Sequence, residues 1–374
     1  MAKVLILGGG FAGVVAAERL AKSLGSEHEI TLVSRSSRFV FYPALVRLAF
    51  GGCEPDDISY DLRGAMLDRR VRFVEATVAR VDAQRREATL SGGDFTGALK
   101  YDYLVYALGR RLATERVPGF FEHAHHLLGV GAALKFGEAV RAFRGGGHAV
   151  LGSCPGARLE VPVYEAAFAL ARLLKEHGEG GRVSVVLPEY PAEHPGGSAL
   201  AAAVRPALEA HGINFIPNFA VERVEAGVVR ATGGRGLTYD LLMLVPPFEG
   251  TSALASTNLV DEEGYARVNH TMRVLGAERM YAAGDAVYFS GPKMGHMAVR
   301  QAEVAAENVA AEIEGREPAA VYRHELTLVV DEGGKDSAFL HAKLWDEGAA
   351  RTGRGHFWGW AKRAHEKYFQ ALHS

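Results

Sequence analysis

The chain of 374 residues carries 48% hydrophobic side chains, enough for two or three domains with cores of their own, and a formal net charge of -2. That balance lacks the basic footprint of a protein devoted to nucleic acid, so no nucleic-acid partner is expected. Only Cys53 and Cys154 are present, which leaves room for one disulfide at most and for no cysteine-built zinc or iron–sulfur centre.

The chain opens with "KVLIL", Lys3 to Leu7, a short β-type run. It runs straight into the turn Gly8 to Gly13 and then a helix with an apolar stripe from Val14 to Leu24, before a second strand from Glu29 to Val33. This is a βαβ opening with no signal-peptide pattern, and no apolar run later in the chain is long enough to span a bilayer. A cytoplasmic protein is therefore expected. Strand-like "VRFVEATVARVDA" and "EATLSG" follow, then "YDYLVYALG", a buried strand ending in a glycine turn at Gly109.

A second α/β unit begins near Arg144 with "GGGHAVLGS". It continues with a helix from about Pro162, the strand "RVSVVLPE", a helix from about Ser198, and a strand-rich stretch ending in "YDLLMLVPPF". The similar endings "YDYLVYALG" and "YDLLMLVPPF" hint at an internal duplication. Beyond "MYAAGDAVYF" the sequence predicts a long helix from Gly295 to Ile313, a strand pair in "TLVVDEGG" and "AFLHAKLW", and a closing helix in "GHFWGWAKRAHEKYFQALHS". The fold class is α/β: two Rossmann-like dinucleotide-binding domains plus a C-terminal α+β segment.

Gly8, Gly10 and Gly13 have the G-x-G-x-x-G spacing between a strand and a helix, where the helix N-terminus faces a pyrophosphate. Phe11 and Ala12 lie within the same turn. The acidic residue expected about 20 positions later is replaced by Ser34 and Arg35. Ser34 can hydrogen-bond a ribose hydroxyl and Arg35 can meet adenine or phosphate, so the first motif alone leaves FAD and NADP both open. At the second strand–turn–helix, "LGSCPGARLE" keeps Gly152 but puts Cys154 and Ala157 where the next glycines would fall, and Pro155 removes a donor. This turn is not expected to grip NAD(P)H.

Plotted at helical spacing, Phe357, Trp360, Ala361, Ala364, Tyr368 and Leu372 share one stripe of the last helix, while Lys362, Arg363, Glu366 and Gln370 share the other. An aromatic stripe with basic neighbours predicts a helix that lies in a membrane interface without spanning it, or else one packed on protein. No His, Cys and carboxylate spacing suits a metal, so none is expected.

"YALGRR" and "MYAAGDAV" resemble the later signatures of the two-dinucleotide-binding-domain flavoproteins. "SRSSRFVFYPALVRLAFG", "EVPVYEAAFAL", "LLMLVPPFEG", "GPKMGHMA" and "EKYF" resemble the sulfide:quinone oxidoreductase branch, related to flavocytochrome c sulfide dehydrogenase and type II NADH dehydrogenase. The resemblance implies noncovalent FAD, held by Pro43, Val78, Ala107, Leu108, Gly109, Gly284 and Asp285 besides the first motif, with Lys293 near the flavin ring. It implies a FAD domain in two parts, residues 1–112 and 265–320, a second Rossmann-like domain at 113–264 and the C-terminal segment at 321–374. It also implies a quinone acceptor, a small reductant such as sulfide, and attachment to the cell membrane from its cytoplasmic side. A homo-oligomer is compatible with it.

Glu165 falls where the family keeps a carboxylate beside the quinone, and a partly buried carboxylate can relay the protons that quinone reduction needs. Phe41, Tyr42 and Phe248 are expected to wall the quinone, with His194 near the substrate path. The family's redox cysteines are replaced by Leu159, by Leu128 and near Val329 or Val330. Cys154, close to a helix start, is the remaining thiol candidate for catalysis. An NAD(P)H:quinone oxidoreductase, or a flavin subunit that needs a partner chain, are the alternatives.

Overall fold

The computed structural model describes residues 1–143, 146–178, 180–188, 197–255, 257–289, 291–334, 336–344 and 350–374, with residues 197–202 described by backbone alone. Two parallel sheets organise the protein. The first runs, in spatial order, Met280–Ala282, Tyr103–Tyr106, Lys3–Leu7, Glu29–Ser34 and Arg72–Glu75. The second runs Asn214–Ile216, Arg182–Val186, His148–Ser153 and Leu241–Val245. The central strands "KVLIL" and "HAVLGS" are buried along almost their whole length, as strands covered on both faces must be.

Each half carries a three-stranded antiparallel meander. Thr77–Asp82, Glu87–Ser91 and Gly97–Lys100 precede Tyr103–Tyr106, and Val221–Glu225, Val228–Ala231 and Gly236–Thr238 precede Leu241–Val245. The same order of elements thus recurs in both halves. The short antiparallel pair Arg110–Leu112 with Phe248–Gly250 ties the chain where it leaves one sheet to where it leaves the other.

Helices Phe11–Leu24 and Gly295–Ile313 pack side by side through alanine-rich buried faces. The C-terminal segment is an antiparallel sheet of Glu325–Asp331, Ser337–Lys343 and Arg351–Arg354, followed by helix His356–His373. That helix docks by Gly359, Glu366, Phe369 and His373. Phe369 enters a cluster with Phe11, Phe39 and Phe41 at ring separations of 5.0 to 5.7 Å, and Trp358 stacks on Phe339 at 3.8 Å.

The aromatic stripe read from the sequence faces outward: Phe357, Trp360, Tyr368 and Leu372 are all exposed. Apart from Arg363, which is exposed, the polar stripe turns inward, contrary to what a polar face leads one to expect. Its residues are paired there: Arg47 grips Glu366 through two hydrogen bonds of 2.6 and 3.0 Å, and Gln370 donates to Asp57 O. No described helix is long and apolar enough to cross a membrane.

Candidate functional site

Three turns converge at the carboxyl ends of the first sheet, the place where open α/β sheets bind ligands. Gly8, at φ +113°, leaves no room for a side chain: a Cβ there would lie 2.1 Å from Ala107 O. A Cβ on Gly13 would sit 1.7 Å from Gly8 O, so this glycine lets the helix close onto the turn. Gly10 is different. Space around it is open, and its extended backbone starts the helix Phe11–Leu24, leaving the first amides free to receive an anion.

The other two signatures lock onto the first. Ala107 N donates to Leu7 O, Gly8 N to Val33 O and Ala283 N to Tyr106 O. Gly284 lies where a Cβ would touch Ala12 at 3.0 Å and Ala298 at 3.4 Å, and its N–H donates to the buried Gln301 side chain at 2.7 Å. Ser34 is buried, with its hydroxyl over the Gly9 turn. Arg35 and Pro43 are exposed, Leu108 and Gly109 half-buried, and Val78 half-buried at a bulge of the first meander.

Lys293 is buried. Its ammonium lies 4.2 Å from the centre of the Tyr265 ring and donates to Val287 O. Burial lowers its pKa to about 8, with the nearby Asp285 carboxylate opposing that shift. Its backbone N–H donates to Arg158 O at 2.9 Å, and Arg158 in turn reaches Phe289 O and Glu263. The turn after His148–Ser153 is therefore docked against the Lys293 loop.

Gly152 serves packing. A Cβ there would lie 2.3 Å from Val186 Cγ2 and 2.5 Å from Val186 O, so the glycine lets two neighbouring strands approach. Helix Val161–Glu176 then begins with Glu160 as its cap residue.

Cys154 is fully buried in the apolar core of the second domain, with Val150, Val186 and Leu244, and desolvation pushes its thiol pKa well up. A thiol held protonated is no nucleophile, which removes the ground for assigning it chemistry. Cys53 and Cys154 are both free. Leu128 and Val330 are buried and Leu159 is half-buried, so apolar side chains stand at the positions where the resemblance places cysteines.

Glu165 is buried and accepts hydrogen bonds from Asp331 N at 2.9 Å and from Lys362, which the C-terminal helix carries in. Burial raises its pKa, while the Lys362 ammonium pulls the other way. Lys362 was legible only as part of a polar stripe.

The expected quinone residues part company. Phe41 is buried among Phe11 and Phe369, Phe248 is buried under the Arg110 guanidinium at 3.6 Å, and Tyr42 is exposed. Burial explains the difference: the first two rings fill core positions and have no free face for a ligand. His194 lies outside the described residues. Among the described residues no cluster suits a metal.

The glycine cradle open at Gly10, the free helix amides, Ser34 and the Gly284–Asp285 turn define a dinucleotide-binding flavoprotein with two Rossmann-like domains. The chain belongs to the family described as Pyridine nucleotide-disulphide oxidoreductase, whose model matches residues 2–302, and its cofactor is FAD. It is 28% identical over 267 residues to a sulfide-quinone reductase of Aquifex aeolicus, covering 68% of this chain and 61% of that one. It is 27% identical over 139 residues to a type II NADH:quinone oxidoreductase of Staphylococcus haemolyticus, covering 37% of this chain and 34% of that one. These alignments span less than two thirds of either relative. The solved sulfide:quinone oxidoreductase from Aquifex aeolicus superposes with a TM-score of 0.91 at 25% identity, over 99% of this chain and 91% of that one.

Proposed function

We propose that the protein passes two electrons from a small sulfur reductant such as sulfide, through FAD, to a quinone, while resting on a membrane surface. The observation that carries this reading is the C-terminal helix. Its outer face offers Phe357, Trp360, Tyr368 and Leu372 to an apolar phase, and its inner face brings Lys362 to the buried Glu165. A quinone needs two protons with its two electrons, and a buried carboxylate of raised pKa beside an ammonium suits their delivery.

Bound FAD would supply a two-electron carrier. This chain's own residues would hold it through Gly8, Gly10, Gly13, Ser34 and the Gly284–Asp285 turn, with Lys293 as a buried cation nearby. The closed turn at Gly152 and the carboxylate of Glu160 favour a donor other than a nicotinamide. With no exposed thiol among the described residues, the donor meets the flavin directly. Two hydrosulfide ions joining as a hydrogen disulfide ion, HSS−, release the electron pair and one proton.

Anaerobic addition of sulfide, NADH or NADPH to separate samples of holoprotein tests the donor. Sulfide should bleach the flavin in the wild type and in Cys154→Ala alike. Bleaching by a nicotinamide alone would overturn the sulfur assignment in favour of NAD(P)H:quinone chemistry.

A further inference from the structure

We propose that Arg110 is a positioning residue for FAD: it fixes the Asp285 carboxylate at the edge of the first sheet and holds a permanent positive charge beside the cofactor. The inference depends on FAD binding alone, whatever the donor and acceptor.

Arg110 and Asp285 leave the neighbouring parallel strands Tyr103–Tyr106 and Met280–Ala282 at the same end. Gly109, at φ +71°, turns the chain so that Arg110 opens the short strand paired with Phe248–Gly250. Its side chain is only 11% exposed. The guanidinium plane lies over the buried Phe248 ring at 3.6 Å, and its Nε sits 3.1 Å from Asp285 Oδ2. Stacking on a ring fixes a planar cation in a way an ammonium cannot reproduce.

Arg110 Nε is ion-paired with Asp285 without making a well-aligned hydrogen bond, and the Tyr265 hydroxyl of the same cluster is buried with no hydrogen-bond partner. A buried hydroxyl left unpaired is costly, so the Tyr265 hydroxyl points to a group that completes it. Asp285 is 27% exposed in its side chain, at the same sheet edge as the Gly10 turn. Arg110 bears electrostatically on both Lys293 and Tyr265, which places it within the charge field of the flavin end of the site. Reduction by two electrons and one proton leaves a negative charge on the flavin, and a fixed cation stabilises that state. Lys293 loses its charge as pH rises through about 8; an arginine keeps it.

The test is an anaerobic redox titration of holoprotein, with FAD content measured alongside. Arg110→Met should give a more negative flavin midpoint potential and weaker retention of FAD on gel filtration. Arg110→Lys should restore the potential towards wild type while FAD is still held more weakly, because charge returns without the stacked plane. If Arg110→Met does not fold, Arg110→Gln, a polar but uncharged replacement, should show the same negative shift. A wild-type potential and FAD content in the uncharged variant would overturn the proposal, as would equal shifts for the lysine and uncharged variants. A wild type that holds no flavin would instead overturn the FAD assignment on which the functional reading rests.

Discussion

Lys362, on the helix that closes the chain, forms a salt bridge with Glu165, on a helix of the second domain 197 residues earlier. Glu165 is buried and Lys362 half-buried, and the amide of Asp331 completes the pair. One ion pair thus joins the segment with the outward aromatic face to the second domain.

Removing Lys362 leaves the buried Glu165 carboxyl without its partner, at a cost of about 1 to 3 kcal/mol once the partial exposure of Lys362 is allowed for. Lys362→Met should therefore destabilise the protein by that order and drive the Glu165 pKa further up. Glu165→Gln with Lys362→Met should cost less than the two single changes summed, measured by urea unfolding. The direction in pH also follows. A carboxyl raised by burial gives a stability contribution that is full below its unfolded pKa and lost as pH rises through the folded one, so Lys362→Met should be most defective, relative to wild type, at neutral and alkaline pH.

The exposed stripe makes a separate prediction. Burying one large apolar side chain contributes about 1.5 to 3 kcal/mol. Phe357→Ser, Trp360→Ser and Tyr368→Ser together should lower partition into liposomes by about a hundredfold or more, with thermal stability unchanged because these side chains touch solvent. Removing the whole helix is a poorer test, since it would also strip Phe369 from Phe11 and Lys362 from Glu165. Unchanged liposome binding by the triple variant would show that the stripe meets protein instead.

Gly152→Ala should be costly for a reason unrelated to nucleotide. The new Cβ meets the neighbouring backbone at Val186, and overpacking of this kind costs about 1 to 3 kcal/mol. Loss of stability with FAD content unchanged is the expected result. A gain or loss of NADH binding with stability intact would restore a nucleotide role to this turn.

Lys293 sets a pH signature. Its charge is lost above about pH 8, so the flavin midpoint potential of the wild type should fall more steeply with pH above that point than below it. Lys293→Met should remove the break and lower the potential at neutral pH. For stability the sign is opposite in kind: the unfolded lysine binds its proton more tightly, so the wild type should gain stability relative to Lys293→Met between about pH 8 and 10.5.

What the sequence disclosed is what local spacing encodes. The strand Lys3–Leu7, the glycine turn and the helix Gly295–Ile313 were legible because each combines an apolar period with its own start and stop signals. The two stripes of the last helix were legible as well, but periodicity says which residues share a face and not which face turns inward. The inward turn of the polar stripe depends on Arg47 and Glu165, far off in sequence. The stacking of Arg110 on Phe248 is likewise hidden, since it joins residues that meet only when the two domains are tied together. Cys154 looked reactive beside a helix start; its burial among Val150, Val186 and Leu244 is a tertiary fact. The third strands of both meanders are too short to carry a period.

The most direct test of the central claim is the reoxidation of flavin by quinone. Anaerobically photoreduced holoprotein would be mixed with a short-chain quinone in a stopped-flow spectrometer, beside Glu165→Gln of equal FAD content. Rapid return of the oxidised flavin spectrum in the wild type, slowed about tenfold or more in Glu165→Gln, is the predicted result. A wild-type flavin that quinone leaves reduced would contradict the account, and an unchanged rate in Glu165→Gln would remove the carboxylate from proton delivery.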